Sequence, residues 1–507
     1  MCSAFVDCRH VGDNSDESLL RQIGARKDAG LPEQLKRTSR CLLRWMLALT
    51  FSVGCQSYAQ SALTIGEAVA RAQEAYPSVQ VTRAQVDAAT AGIRLARTHY
   101  LPRVDGMAQV NRATRNNIYG MLMQQSVISP ISGPPVNENS ATSVFGSAVG
   151  MLVDWEPFDF GLRRSGVDLA ESSRRRAEAS VARSRFEAAS AAADSYLTIL
   201  AAQEAEKSAR ASIERSKVFL HAVEALVKAE LRPGVDASVA KAELAAAQGQ
   251  AVRGRQAVAE AKAILAGLLA EQPGNIAVVE GVFLNDPALS DNSAKADAPS
   301  ASVEVSPLLE ASPHAREQSA AIDEAKARRK VLDKQWAPRF HLQATTYARG
   351  SGARPDFTTQ GGVHGLSPNF YNWGLGFTVT VPLMEFAATR AQQAEQSAKV
   401  RAEEGRYKQL VTDMDTRRNQ AMAALEAARE MVALTPVQME SARAAALQAE
   451  ARYRSGLSTV TEVADSQRLL TQAEIDHSLA KLNVWRALLG LRIAEGDLGP
   501  FLEMAGR

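Results

Sequence analysis

The stretch YPSVQVTRAQVDAATAGIRLARTHYLPRVD at residues 76–105 aligns without gaps with SPHAREQSAAIDEAKARRKVLDKQWAPRFH at residues 312–341. Two prolines and the length between them coincide, which indicates an internal repeat. The shared positions include Pro77 and Pro313, Ala84 and Ala320, Asp87 and Asp323, Ala91 and Ala327, and Pro102 and Pro338. The chain is therefore predicted to contain one structural unit twice.

Each copy of this stretch leads into sequence with strand character. RVDGMAQVNRAT (103–114) and RFHLQATTYAR (339–349) are each followed by a loop rich in Gly, Pro, Ser and Asn, and then by residues 143–161 and 372–387. Alternation with a period of two predicts β-strands, two in each half. In the last strand the apolar face holds Trp373, Leu375, Phe377, Val379 and Val381, and the other holds Asn372, Gly374, Gly376, Thr378 and Thr380.

Strands of this length fit a membrane, because a transmembrane β-strand needs about 9–11 residues with apolar side chains towards lipid. A soluble antiparallel hairpin would also have one apolar face, but the Gly- and Thr-rich polar face favours a wet lumen. Four strands cannot close a barrel in lipid without leaving backbone groups unpaired. Other copies of the chain must complete it, and three copies would supply twelve strands.

Long helices are predicted after each strand pair. Residues 164–231 contain no proline, and residues 390–455 contain only Pro436. At 1.5 Å per residue, about 65 residues of helix extend roughly 100 Å. Such rods are longer than one globular domain is thick.

Each rod is predicted to end at a glycine, Gly234 in LRPGVD and Gly456 in YRSGLS. Glycine accepts the positive φ common just after a helix. Second helices are predicted to return over about 236–271 and 459–495, so that each half contains an αα-hairpin. A Ser/Thr-rich N-cap precedes the second returning helix.

The N-terminal region resembles a secretory signal. Basic residues at 36–40 precede the apolar run 42–53, and small residues at Ser57 and Ala59 favour cleavage after Ala59. The run is shorter than the about 20 residues of a typical membrane span. Residues 1–35 lie upstream of a normal signal, so residues 1–59 are assigned to an extension and signal.

All four cysteines, Cys2, Cys8, Cys41 and Cys55, lie in this region. Cleavage after Ala59 would leave a chain without disulfides or a thiol nucleophile. An alternative is lipoprotein processing at SVGC, in which Cys55 becomes the acylated first residue, although Ser52 stands where a bulky aliphatic residue is usual.

The composition gives no sign of catalysis or of a nucleic-acid partner. The formal net charge is +2, and the histidines are scattered without metal-ligand spacing, at His10, His99, His221, His314, His341, His364 and His477. GLGFT lies inside a strand and is no nucleotide fingerprint. We expect no catalytic residues, cofactor or metal.

Taken together, the signal, the duplicated YP…YLPR and SP…WAPR segments, the strand ends PFDFG and PLMEF, and the paired hairpin turns resemble the TolC-like outer-membrane efflux proteins of Gram-negative bacteria. The likeness extends over residues 62–500. It implies an α+β fold: a trimeric membrane β-barrel, with four strands per chain, continuous with a long periplasmic α-helical barrel. The repeats would span 62–305 and 306–507, with 273–305 in an intermediate belt.

The resemblance also implies a function and partners. It implies the exit duct of a tripartite efflux or type I secretion system, working in the outer membrane with a periplasmic adaptor and an inner-membrane transporter of the RND, ABC or a similar class. The alternative is a periplasmic coiled-coil adaptor or scaffold without a pore, which would explain the rods but not the strands.

Hairpin tips in this family face the inner membrane and meet the adaptor. The matching residues are Leu231, Arg232, Gly234, Val235 and Asp236 in the first half, and Tyr453, Arg454, Ser455, Gly456, Leu457 and Ser458 in the second. The two glycines are needed as turn formers in any case. Pro233 beside Gly234 departs from the family pattern.

Two acids after the second tip, Glu462 and Asp465, match positions that ring the periplasmic entrance in the family. Their i, i+3 spacing places them on one helical face, so three copies would form two acidic rings that favour cations. A plainer interpretation is that they are first-turn acids stabilised by the helix dipole.

Overall fold

The computed structural model describes residues 62–114, 141–284, 310–354, 356 and 358–506. The predicted signal with its four cysteines, including Cys55, lies outside these residues. So do most of the first polar loop and the later part of the predicted belt.

In both halves a helix is followed by two strands and two long helices. The first half contains α1 (Ile65–Ala75), α2 (Pro77–Thr98), β1 (Arg103–Thr114), β2 (Ser143–Phe158), α3 (Leu162–Lys228), α4 (Gly234–Leu269) and 3₁₀ helices at Pro273–Asn275 and Gly281–Leu284. The second contains α5 (Pro313–Leu332), β3 (Arg339–Ser351), β4 (Phe370–Thr380), α6 (Phe386–Arg454), α7 (Val460–Glu495) and α8 (Gly499–Ala505). The predicted duplication of helix, strand pair and long helical hairpin is present in the structure.

The two prolines that marked the repeat each begin a helix. Pro77 and Pro313 occupy the first turns of α2 and α5, where a missing N–H leaves no hydrogen bond unmade. Ser312 caps α5 by accepting a hydrogen bond from the backbone N–H of Ala315, at 3.2 Å.

The four strands form one antiparallel sheet in the order β1-β2-β3-β4. The register pairs Val104 with Val153 and Ala344 with Leu375. Between these pairs, Val153 on β2 lies opposite Ala344 on β3. The register therefore assembles one continuous apolar face from all four strands.

This apolar face is open to its surroundings in the single chain. On β4, the side chains of Tyr371 and Trp373 are 84% and 82% exposed, and Leu375 and Phe377 are also largely exposed. A soluble sheet would bury such a face against a core. Exposure of so many large apolar side chains marks a surface made to meet lipid or protein.

The other face of the sheet is polar. His341 and Asp154 lie 3.4 Å apart across β2 and β3, and Arg103 forms an ion pair with Asp105 at 2.9 Å. Gln343 is buried on the same face. Polar side chains thus gather on the face opposite Leu375 and Phe377, as the alternation in β4 predicts.

Within the described part of the chain, β1 and β4 each pair with one neighbour and so form the edges of the sheet. An edge strand presents a row of unpaired backbone N–H and C=O groups. The single chain thus presents two free edges for further pairing.

The long helices α3 and α6 contain 67 and 69 residues. Each therefore extends about 100 Å. Helix α6 continues through Pro436, although a proline lacks the N–H that the helix would use there. None of the described helices has a stretch long and apolar enough to cross a membrane.

The main core lies where α3 meets α1, α7 and the segment after α4. Alanines on α3, such as Ala189 and Ala192, are fully buried, and their small side chains allow close approach between helices. The Tyr196 hydroxyl accepts a hydrogen bond from the N–H of Val279 at 3.1 Å and lies 3.0 Å from the carbonyl of Leu63. Through this contact, α3 holds the first, described part of the predicted belt in place. That part of the belt contains two 3₁₀ helices.

Candidate functional site at the hairpin tips

In each long hairpin, a linker of five residues joins the two helices. Helix α6 is followed by residues 455–459, in which Gly456 has φ 79°. The N–H of Gly456 donates to the carbonyl of Tyr453 at 3.0 Å, and that of Leu457 donates to Arg452 at 2.8 Å. This pair of bonds is the Schellman motif that ends many helices.

The first hairpin repeats this motif with a different residue at the strained position. The N–H groups of Glu230 and Leu231 donate to the carbonyls of Val227 and Leu226, both at 3.0 Å. Glu230 takes the left-handed conformation, with φ 58°. It therefore occupies the structural position of Gly456.

The prediction that Gly234 ends the first rod is wrong. Gly234 is the first residue of α4, and its φ is not positive. Pro233 is the N-cap before it, in the position that Thr459 occupies in the second hairpin. The hydrogen bonds from the N–H groups of Glu230 and Leu231 to the last turn of α3 determine which residue is left-handed. It is the second residue after the helix, and it need not be a glycine.

A buried hydrogen bond joins the two hairpins at their tips. The hydroxyl of Tyr453, at the end of α6, donates to a carboxylate oxygen of Asp236, in the first turn of α4, at 2.8 Å. Tyr453 is 1% exposed and Asp236 is 7% exposed. Burial, followed by the hydrogen bond and the negative charge of Asp236, raises the pKa of Tyr453 to about 12.

Arg232 completes this link from the turn of the first hairpin. Its guanidinium lies 4.4 Å from the centre of the Tyr453 ring and donates to the Tyr453 carbonyl at 2.5 Å. It also donates to the Ser458 carbonyl at 3.4 Å. Phe219 packs edge-on against Tyr453 with ring centres 5.5 Å apart, so that the link is enclosed by apolar side chains.

The two predicted acids lie on the exposed side of α7. The backbone N–H of Glu462 donates to the Thr459 hydroxyl, which confirms the Ser/Thr cap. Asp465 lies 3.4 Å from Arg468, and Arg468 also pairs with Glu243 of α4. Part of the acidic charge is therefore balanced by an arginine that the sequence did not single out.

A second polar contact joins the hairpins farther from the tips. Arg215 of α3 binds both carboxylate oxygens of Glu474 on α7, at 2.9 and 3.2 Å. Arg215 also donates to the Thr471 hydroxyl at 3.1 Å. These groups are largely enclosed between the helices, so the contact is stronger than a surface ion pair.

Of the predicted tip residues, the structure separates an inner and an outer set. Tyr453, Asp236 and Ser458 are buried between the hairpins. The outer set is exposed and includes Leu231, Gly234, Val235, Arg454, Ser455, Gly456 and Leu457, with Arg454 paired to Glu450. Arg232 is half-buried and bridges the two sets.

Sequence reasoning placed Tyr453, Asp236 and Arg232 at the tips, but it did not connect them. Their link depends on a pairing between residues 217 positions apart in the chain. Arg468 and Arg215 were missed entirely. The only signal for them would have been opposite charges at matching positions of two neighbouring helices. Which helices are neighbours, and which of their sides face each other, is set by the fold.

Comparison with known proteins identifies the family to which the chain belongs. The family described as Outer membrane efflux protein matches residues 68–271 and 305–497. The chain belongs to this family, as its resemblance to the TolC-like proteins predicted. It is thus an outer-membrane efflux protein. No curated protein sequence matches the chain.

Solved structures with the same fold include three outer-membrane proteins. VceC of Vibrio cholerae is 16% identical over 85% of this chain and 96% of its own, with a TM-score of 0.63. The CmeC outer membrane channel of Campylobacter jejuni is 14% identical over 87% of this chain and 89% of its own, with a TM-score of 0.66. The MtrE outer membrane channel of Neisseria gonorrhoeae, in its open state, is 17% identical over 86% of this chain and 89% of its own, with a TM-score of 0.62. At these identities the likeness concerns the fold.

Proposed function

We propose that three copies of this chain form a channel through the outer membrane. The observation that carries this proposal is the four-stranded sheet with two free edges and an exposed apolar face on β4. Three sheets joined edge to edge make twelve strands, which satisfies the backbone and turns the apolar face to lipid. The polar face then lines the pore.

The helical hairpins extend this pore through the periplasm as an α-helical barrel. The trimer acts as a passive exit duct of a tripartite efflux or type I secretion system and performs no chemistry itself. Energy for transport comes from an inner-membrane transporter of the RND, ABC or a similar class. Family membership supports the efflux role, and the length of α3 and α6 supports a periplasmic span.

The outer set of tip residues is proposed to contact the periplasmic adaptor. Leu457 and Val235 are 70% and 63% exposed, and Leu231 is similarly open. Exposed apolar residues at a helical turn are suited to helix-to-helix docking. The buried Tyr453, Asp236 and Ser458 would then act by holding the tips in shape rather than by touching the adaptor.

The entrance is proposed to be gated by the tip link and by the acids beyond it. Opening must separate the hairpins, which breaks the bonds among Tyr453, Asp236 and Arg232. Glu462 and Asp465, repeated in three copies, form acidic rings at this entrance and attract cations.

Two measurements test the channel. Purified protein should cross-link as a trimer and conduct ions in planar lipid bilayers. The rival function, a periplasmic adaptor or scaffold without a pore, predicts a protein recovered wholly in the soluble periplasm and no conductance. The exposed apolar face of the sheet favours the channel, because a soluble scaffold has no use for it.

A further inference from the structure

A group of exposed cations lies where the helices meet the sheet. It comprises Arg164, in the first turn of α3, Arg329 and Lys330, in the last turn of α5, and Lys334, just before β3. No hydrogen bond or ion pair joins their side chains to other described residues. The cationic group is thus available for an outside partner.

The packing of α3 against α5 brings these cations to the same end of the two helices. Helices α3 and α5 run antiparallel, with ion pairs between Arg176 and Glu324 at 2.9 Å and between Arg183 and Glu317 at 3.0 Å. Continued in this register, the start of α3 with Arg164 lies beside the end of α5 and the segment that follows it. The helix dipole explains a basic last turn on α5, but it disfavours a cation in the first turn of α3.

An aromatic cluster adjoins the cationic group at the same end of the sheet. Phe158 and Phe160 pack edge to face with ring centres 4.7 Å apart, and Phe340 lies about equally far from both, at 6.1 and 6.0 Å. Phe158 and Phe160 stay half exposed. Aromatic rings at the end of a membrane strand favour the level of the lipid headgroups.

Phe160 supports this placement because its backbone is strained. Its φ is 52°, a left-handed conformation that is unusual for a bulky residue. The next residue, Gly161, has φ 88°, as glycine readily does. This strained turn holds the Phe160 ring half exposed beside Phe158 and Phe340 at the end of the sheet.

From these observations we propose that the cationic group and the aromatic cluster together bind anionic phospholipids, such as phosphatidylglycerol, in the periplasm-facing leaflet of the outer membrane. The cations attract the headgroup phosphates, and the rings lie among the upper acyl carbons. Charge complementarity and continuity with the exposed apolar face of the sheet favour lipid over a protein partner. The inference rests on the membrane placement of the sheet in the proposed function.

The test compares vesicles of phosphatidylcholine alone with vesicles that also contain phosphatidylglycerol. The full-length protein is reconstituted in each, and its melting temperature is measured. We expect phosphatidylglycerol to raise the melting temperature by several degrees, because a ligand that binds the folded state stabilises it. High salt should abolish the rise, since it screens exposed charges.

A triple variant, Arg164→Gln with Lys330→Gln and Lys334→Gln, should insert normally but lose most of the rise. The control variant, Arg401→Gln with Lys408→Gln and Arg443→Gln, removes three exposed cations of α6 and should keep it. An equal rise in both variants would overturn the proposal, as would an equal effect of inorganic phosphate added without phosphatidylglycerol. Failure of the wild type to insert into either vesicle would instead contradict the proposed channel.

Discussion

The hydroxyl of Tyr453 donates a 2.8 Å hydrogen bond to the buried carboxylate of Asp236, and this bond joins the second helical hairpin to the first. The Arg232 guanidinium lies over the same tyrosine ring and binds its backbone. The three residues come from both hairpins, so the tips are held together by side chains rather than by the chain itself.

Replacement of this tyrosine should loosen the entrance. Tyr453→Phe removes a hydrogen bond to a charged group, an interaction of about 1.5–3 kcal/mol, and leaves the Asp236 carboxylate buried without that donor. We expect a higher single-channel conductance or more frequent opening in planar bilayers. Tyr407→Phe, on α6 away from the tip, is the control. An equal change in conductance or opening in both variants would show that Tyr453 has no specific role in gating.

Alkaline pH should act on the same bond. The pKa of Tyr453 rises from 10.0 to about 12 through burial and the nearby Asp236. Because the folded-state pKa is the higher one, the contribution of the neutral phenol is complete below pH 10 and is lost as the pH rises through about 12. We expect conductance to rise across this window.

Tyr196 has a similarly raised pKa and titrates in the same window. The Tyr196→Phe variant should therefore keep the alkaline rise in conductance, and Tyr453→Phe should lose it. A rise that persists without Tyr453 would assign the effect to another group.

The acids on α7 should control the response to divalent cations. Removing both, with Glu462→Ala and Asp465→Ala, should weaken the block by added divalent cations on the order of ten-fold, because six charges would leave the entrance of the proposed trimer. Open conductance should stay equal or increase. Replacement of Glu426 and Glu430, two exposed acids on α6, serves as the control. If the block is unchanged, Glu462 and Asp465 only stabilise the start of α7.

The apolar face of the sheet should not tolerate a charge. Leu375→Arg places a cation on the face assigned to lipid, at a cost of about 2–4 kcal/mol near the middle of the bilayer. Thr345 follows Ala344, the partner of Leu375, on β3 and so lies on the polar face, and Thr345→Arg should insert normally. Heat stability of the reconstituted protein measures the difference, and equal stability would contradict the assignment of the faces.

The two hairpin turns should respond in opposite directions to substitution. Glu230→Gly removes the backbone strain of a left-handed residue that has a Cβ, and it should stabilise the protein by about 0.5–1 kcal/mol. Gly456→Ala introduces this strain and should destabilise the protein by about 1 kcal/mol. Chemical unfolding in detergent measures both changes. Effects of the same sign would show that the turns are not equivalent.

Much of the architecture was accessible from sequence. The period of two in residues 372–381 and the long segments nearly free of proline predicted the strands and rods, because local patterning reflects local geometry. The first turn was misplaced by four residues, since glycine was taken as the marker of the left-handed position. In the structure Glu230 occupies that position because the Schellman hydrogen bonds fix it.

The sequence alone determined the duplicated order of helices and strands, the apolar and polar faces of the strands, and the resemblance to outer-membrane efflux proteins. These features follow from short-range periodicity and from the alignment of the two repeats, both of which can be recognised in the sequence. Only the tertiary structure joined Tyr453 to Asp236, Arg468 to Glu243 and Arg215 to Glu474. Such pairs depend on the rotation and axial register of packed helices, which long-range packing sets and local sequence does not encode.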